Sequence, residues 1–194
     1  MEFKGALDVQ IAEKMLKFPL LGERIEGAWN LSLTREFDMT NDSHLYKTES
    51  APGRLPLWEG KQFHQFEPNF AKPRYWLDEP VARAELLSPR IKAVCREMAK
   101  LGLPGEPDAN AIRLNYDSYR LAFRDVGRNT DARTVIATVL PPKRFCPHTV
   151  SLEQVYFDSV SKLAGYVSGQ YLDHSQCLYV TALFNSYVFD WFTR

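Results

Sequence analysis

The sequence predicts an α/β or α+β domain, with a mixed or antiparallel sheet flanked by helices. Three stretches carry apolar residues at helical spacing, and short runs of β-branched and aromatic residues lie between them. No internal repeat or low-complexity segment interrupts this order. Because 45% of its 194 residues are hydrophobic, the chain can bury a core.

In the first half, the pattern predicts two helices separated by short strands and loops. Residues 11–16 place their apolar side chains on one face, which predicts a short amphipathic helix near the start. From residue 29 to about residue 60 the apolar runs are short and are divided by turn residues. Ser88 and Pro89 form a start signal, so the second helix is expected to begin there and to end at Gly102.

In the second half, two strands are expected at residues 118–123 and 134–140, the second rich in β-branched residues. Residues 151–175 suit a helix in one part and a strand in another, so both readings stay open. Residues 177–192 predict a buried helix. We expect the chain to have two parts. Residues 1–50 form a helix with a connecting segment, and residues 51–194 form one compact domain.

Composition narrows the function classes only slightly. Lysine plus arginine and aspartate plus glutamate number 24 each, so the total charge favours neither nucleic acid nor an acidic membrane as a partner. The three scattered cysteines are typical of a reducing cytoplasm. The chain opens on no secretory signal, and residues 177–192 are shorter than a bilayer span. A cytoplasmic protein without a membrane partner is expected.

One short motif could belong to a metal-dependent nuclease. Glu59-Gly60-Lys61 matches the Glu-x-Lys half of a paired-carboxylate site, and Asp38 or Asp42 would supply the upstream carboxylate. A turn that follows a strand explains the same three residues, and patterns this short arise often by chance.

A zinc site is a further alternative. Cys146 with His148 and His174 with Cys177 could supply two thiolates and two imidazoles to a tetrahedral metal. The opposite interpretation is that the cysteines are buried core residues and the histidines lie at the surface. The sequence leaves both open, and no metal is predicted.

A basic connection lies between the two strands of the second half. Between residues 113 and 144 the local net charge is +4, because this segment contains three aspartates and seven cationic residues: Arg113, Arg120, Arg124, Arg128, Arg133, Lys143 and Arg144. Arginine suits phosphate oxygens and guanine edges, so a DNA-facing loop is physically reasonable. Pairing of these arginines with carboxylates of the same chain is the alternative.

Three blocks carry a resemblance to a known family. Residues 119–142 read YRLAFRDVGRNTDARTVIATVLPP, residues 55–61 and 63–66 read LPLWEGK and FHQF, and residues 182–190 read ALFNSYVFD. In this order they resemble the target-recognition region of type IIG restriction-modification enzymes and related adenine-specific N6 DNA methyltransferases. The second block resembles the family's PLYEGKMIHQFD element, with Trp58 in place of tyrosine and Glu67 in place of aspartate. The similarity extends over about residues 10–194.

The resemblance implies a target-recognition domain that binds duplex DNA. A separate methylase domain, in cis or in trans, would bind S-adenosylmethionine and modify the adenine, and this chain would be a piece of a longer protein. The expected contacts to the DNA backbone are Lys61, His64, Arg124, Arg128, Asn129 and Arg133. For each of them a salt bridge or turn hydrogen bond is the alternative, and a protein-interaction module is the alternative for the whole chain.

Overall fold

A computed structural model describes residues 5–127 and 132–193. Its helices are α1 (Ala6–Met15), α2 (Glu79–Lys100), α3 (His174–Phe184) and α4 (Tyr187–Thr193). Its strands are β1 (Leu33–Thr34), β2 (Arg54–Leu57), β3 (Tyr75–Asp78), β4 (Arg120–Arg124), β5 (Ala137–Leu140), β6 (Val150–Glu153), β7 (Tyr156–Ser161) and β8 (Gly165–Gln170). The predicted α+β class is confirmed.

The central sheet has the strand order β1-β6-β4-β5, and every pair within it is antiparallel. The two strands predicted in the second half are β4 and β5, which pair with Leu121 opposite Val139. Most of the ambiguous residues 151–175 form strands, including the β7–β8 hairpin, and helix α3 begins at His174. A third antiparallel pair, β2 with β3, is joined by residues 58–74, called here the 58–74 loop.

Strand β4 is buried on both faces, since alternate residues of a strand point to opposite sides of the sheet. Ala122 packs with Trp58 and Phe63 of the 58–74 loop. Leu121 packs with Cys177 and with Phe184 of α3. The loop and the C-terminal helices therefore cover opposite faces of the same strand, and a further apolar cluster around Phe37, Leu57 and Phe145 lies beside β2 and β3.

The predicted start of the second helix at Ser88 is wrong, because α2 begins at Glu79 and contains Pro89 in its interior. Pro80 occupies the first turn, where a missing N–H costs nothing. An interior proline costs about 3 kcal/mol, which packing on both sides of it must offset. Ala82 and Val94 are both buried, so each half of the helix is anchored. The predicted end is confirmed, since Gly102 follows the last turn with a φ of 70°.

The single buried helix predicted for residues 177–192 is also wrong. The segment forms α3 and α4, which are separated at Asn185 and Ser186. Several large apolar side chains of both helices remain exposed, Tyr187 most of all at 82%. Within the described part of the chain, no helix combines the length and apolar character needed to cross a membrane.

Candidate nucleic-acid interface

The three blocks that carry the resemblance meet at the side chain of Asn185. Its Nδ2 donates to the Ala137 carbonyl of β5 at 2.8 Å, and its Oδ1 accepts from the Ala137 N–H at 3.1 Å. Gln65 of the 58–74 loop donates from Nε2 to the same Oδ1 at 3.2 Å, and the Phe66 N–H donates to the Ala137 carbonyl at 3.1 Å. We call these four residues the Asn185 hub. It joins the loop, the sheet and the break between α3 and α4.

A buried carboxylate reinforces the same junction. Asp190 of α4 accepts through Oδ1 from the backbone N–H groups of Thr134 at 2.6 Å and Val135 at 2.8 Å. The side chain of Asp190 is 6% exposed, so these charge-assisted bonds are shielded from water. The start of β5 is therefore fastened to α4.

Arg133, one of the expected DNA contacts, is engaged inside the fold. Its Nη2 donates to the carbonyls of Asn185 and Ser186, the latter at 3.1 Å, and its Nε lies 3.7 Å from Asp190 Oδ2. The guanidinium also lies over the ring of Tyr187, 4.3 Å from its centroid. With only 12% of its side chain exposed, Arg133 holds the α3–α4 junction.

Arg124 anchors the 58–74 loop to the central sheet. Its Nη2 donates to the Phe63 carbonyl at 2.6 Å. Its stem passes so close to Gly60 that a Cβ there would lie 3.1 Å from Arg124 Cγ, which explains the glycine between Glu59 and Lys61. Lys61 is exposed in the short 3-10 turn Gly60–Gln62, and the ring of His64 lies 5.2 Å from that of Phe70.

The cations on and around the 58–74 loop outnumber its acids. Lys61 and Lys72 are exposed on neighbouring chain segments, since Ala71 N–H donates to the Gln62 carbonyl. The loop also carries or contacts three arginines, and its two acids are Glu59, which pairs with Arg74 at 3.4 Å, and the exposed Glu67. We call the five cations the loop cations: Lys61, Lys72, Arg74, Arg124 and Arg144. Lys61, Lys72 and Arg74 are exposed, whereas Arg124 and Arg144 are half-buried and are bonded to Phe63 and Asn69 of the loop.

The tip of the loop is a two-residue turn that presents an aromatic ring to solvent. His64 and Glu67 exchange backbone hydrogen bonds of 2.8 and 3.0 Å around Gln65 and Phe66. Phe66 has a φ of 61°, a left-handed conformation that costs a residue with a Cβ about 1–2 kcal/mol. Phe66 is nevertheless 64% exposed, and Phe70 is 60% exposed. No sequence pattern pointed to Phe66, because a strained φ at a non-glycine residue leaves no signal in composition.

Most cations of the predicted basic connection lie elsewhere. Arg120 is fully buried against Glu36, Lys143 pairs with Glu79 and Asp117, and Arg113 lies over the ring of Tyr156. The local net charge of +4 therefore overestimates the number of cations that are free at the surface. A count along the chain does not include the carboxylates and aromatic rings that the fold brings next to these cations. Of the expected DNA contacts in this connection, Arg128 and Asn129 lie outside the described residues.

The carboxylates of the nuclease alternative are held by local contacts. Asp38 accepts from the N–H groups of Thr40 and Asn41 at 2.8 Å each, and these bonds lower the pKa of its carboxyl. Asp42 accepts from the Asp38 N–H at 2.7 Å, which closes the same turn. Over residues 5–127 and 132–193, no three histidine, cysteine, aspartate or glutamate side chains are grouped so that they could hold a metal.

The residues of the zinc alternative form no metal-binding group in the part of the chain that the structure describes. Cys146 lies beside the Glu36–Arg120 pair, and burial raises the pKa of its thiol to about 12. Cys177 is buried next to Glu153, and burial raises its pKa as well. His148 lies 3.6 Å from Asp38, whereas the ring of His174 is 5.1 Å from that of Tyr119. The cysteines are core residues.

Glu153 makes the folding stability depend on pH. It is buried beside Cys177 and accepts from the Leu121 N–H at 3.0 Å. Burial raises the pKa of its carboxyl above the ordinary 4.5, although the Leu121 N–H, Arg120 and His174 act in the opposite direction. The folded protein thus keeps a proton that the unfolded chain has already lost. We expect stability from this group to be complete below pH 4.5 and to fall as the pH rises through the folded pKa.

To test this expectation, the free energy of unfolding in urea is measured from pH 4 upwards for the wild type and for Glu153→Gln. The wild type should lose stability relative to the variant by up to about 1.4 kcal/mol per pH unit. Parallel curves for the two proteins would contradict the assignment to Glu153.

The chain matches no protein-family model, and no curated protein matches it.

Proposed function

We propose that this chain is a duplex-DNA recognition module of an adenine-specific DNA methyltransferase or restriction-modification protein, with the 58–74 loop facing the DNA. One observation carries the proposal. The three segments that resemble the target-recognition region, far apart in sequence, converge on the Asn185 hub and there fix a loop with exposed cations. A shared signature is expected at positions that build such a scaffold.

Four cations on or near the loop have two different roles. Lys61 and Lys72 are exposed and bind phosphate oxygens, which fixes the position of the module on the duplex without reading its sequence. Arg124 and Arg133 hold the loop and the α3–α4 junction in place, so they support the surface from within. His64, half-buried beside Phe70, is a further contact to the DNA backbone in this proposal.

Methyl transfer belongs to a separate domain. Adenine-specific N6 DNA methyltransferases, to which the resemblance points, hold the flipped adenine with a tetrapeptide of Asn or Asp, two prolines and an aromatic residue. Here Pro141 and Pro142 follow Leu140, and the next residue, Lys143, is paired with Glu79 and Asp117 at 2.8 and 2.7 Å. These residues do not fit that tetrapeptide, and the resemblance implies that S-adenosylmethionine binds to the separate methylase domain. The three free cysteines suit a cytoplasmic location.

Replacement of Lys61 by alanine is expected to weaken DNA binding on every duplex sequence to a similar extent. Loss of one phosphate contact should lower the slope of log Kd against log salt by about one. The measurement is fluorescence anisotropy of a short labelled duplex over a series of salt concentrations. Lys72→Ala should behave alike, and the double variant should lower the slope by about two.

Lys162→Ala is the matched control, because Lys162 is an exposed lysine on the β7–β8 turn. Its slope should equal that of the wild type. Equal slopes for Lys61→Ala and the wild type would remove this residue from the interface. Binding that does not weaken with salt would contradict phosphate contact and favour a protein-interaction module.

A further inference from the structure

Phe66 has an arrangement that packing within the chain does not explain. Its backbone is held in the left-handed region, yet its ring is 64% exposed. Three sets of hydrogen bonds hold the turn around Phe66. His64 and Glu67 close it through their backbones, Gln65 donates to Asn185, and the Phe66 N–H donates to the Ala137 carbonyl. A strained conformation that persists because its surroundings enforce it is typical of a residue with a role at a site.

The loop that carries the ring suits a nucleic acid. Lys61 and Lys72 are exposed on the same loop as Phe66, and Arg144 donates at 2.9 Å to Asn69, the residue before Phe70. A projecting aromatic ring on a loop with exposed lysines matches the π-face of a base and the phosphates of its strand. An apolar protein partner would match the ring and not the cations.

We propose that Phe66 is a wedge that enters the stack of the bound duplex at one base step, while the exposed Lys61 and Lys72 bind phosphates of the same duplex. This proposal depends on the proposed DNA-binding function and specifies how the chain would contact the duplex. An aromatic side chain between two base pairs unstacks them and bends the duplex. In this arrangement the turn holds Phe66 in place between the bases, since Gln65 is bonded to Asn185 and the Phe66 N–H is bonded to Ala137.

The test uses Phe66→Gly, because glycine adopts a positive φ without strain and the variant should fold at least as well as the wild type. Thermal unfolding checks that point. Duplexes carrying 2-aminopurine at successive positions report unstacking as an increase in fluorescence, and anisotropy gives the affinity. The wild type should raise the fluorescence at one step, and Phe66→Gly should abolish the increase and weaken binding by about tenfold or more.

Two controls separate the wedge from the phosphate contacts. The salt slope of Phe66→Gly should equal that of the wild type, because no phosphate contact is lost. Phe70→Ala removes the neighbouring exposed ring and should retain the fluorescence increase. Binding by Phe66→Gly as tight as that of the wild type, or an equal fluorescence increase, overturns the wedge and leaves DNA recognition standing. A wild type that binds no duplex overturns both.

Discussion

Asp190→Ala should destabilise the protein by about 3–5 kcal/mol, since it leaves buried groups without their partner. The backbone N–H groups of Thr134 and Val135 would both lose their acceptor, and Arg133 would lose the carboxylate beside its Nε. The α3–α4 junction and the start of β5 would separate. Urea unfolding followed by tryptophan fluorescence measures the free energy of unfolding.

Two variants define this prediction further. Asp190→Asn keeps one acceptor oxygen for the two N–H groups and should cost about 1–2 kcal/mol. Glu97→Ala removes a carboxylate from an exposed pair with Lys100 and should cost less than about 0.5 kcal/mol. A cost for Asp190→Ala as small as that of Glu97→Ala would show that the junction does not depend on the carboxylate.

Glu36→Ala is expected to lower the free energy of unfolding by about 3–5 kcal/mol, because it leaves the buried guanidinium of Arg120 without a counter-charge. The side chains of Arg120 and Glu36 are 0% and 4% exposed, and their closest atoms are 3.1 Å apart. Burial raises the pKa of Glu36, whereas Arg120 and the Cys146 N–H lower it, so the ionised form depends on these two partners. Without Glu36, Arg120 keeps its bond to the Arg144 carbonyl at 2.7 Å.

The double variant Glu36→Ala, Arg120→Met provides the control. Since it removes the unpaired charge as well, it should be more stable than Glu36→Ala alone. Additive costs for the two substitutions would indicate that the pair is not coupled and that Arg120 acts through packing only.

Local patterns were sufficient for β4 and β5, because alternation and β-branched residues report burial on a sheet. Alternation also places Arg120, Ala122 and Arg124 on one face of β4, where Ala122 packs with Trp58 and Phe63 and Arg124 bonds to the Phe63 carbonyl. This arrangement could have been predicted from the sequence. It indicates that both arginines stabilise the fold.

Other features depended on tertiary contacts that no local pattern encodes. The break at Asn185 interrupts an apolar segment because strand β5 satisfies the asparagine amide. The start of α2 was misplaced because two start signals compete, at Pro80 and at Pro89, and packing of Ala82 decides between them. The turn at Phe66 requires the Ala137 carbonyl, which comes from 71 residues further along the chain.

The Asn185 hub also has a consequence for the order of folding. Gln65 and Asn185 are 120 residues apart, whereas the strands of the β7–β8 hairpin pair across a turn of a few residues. Contacts with long sequence separation form late, because loop closure must precede them. During synthesis the hairpin can form on the nascent chain, but the tip of the 58–74 loop must wait until Asn185 has left the ribosome. The surface proposed to meet DNA is therefore among the last parts of the molecule to take shape.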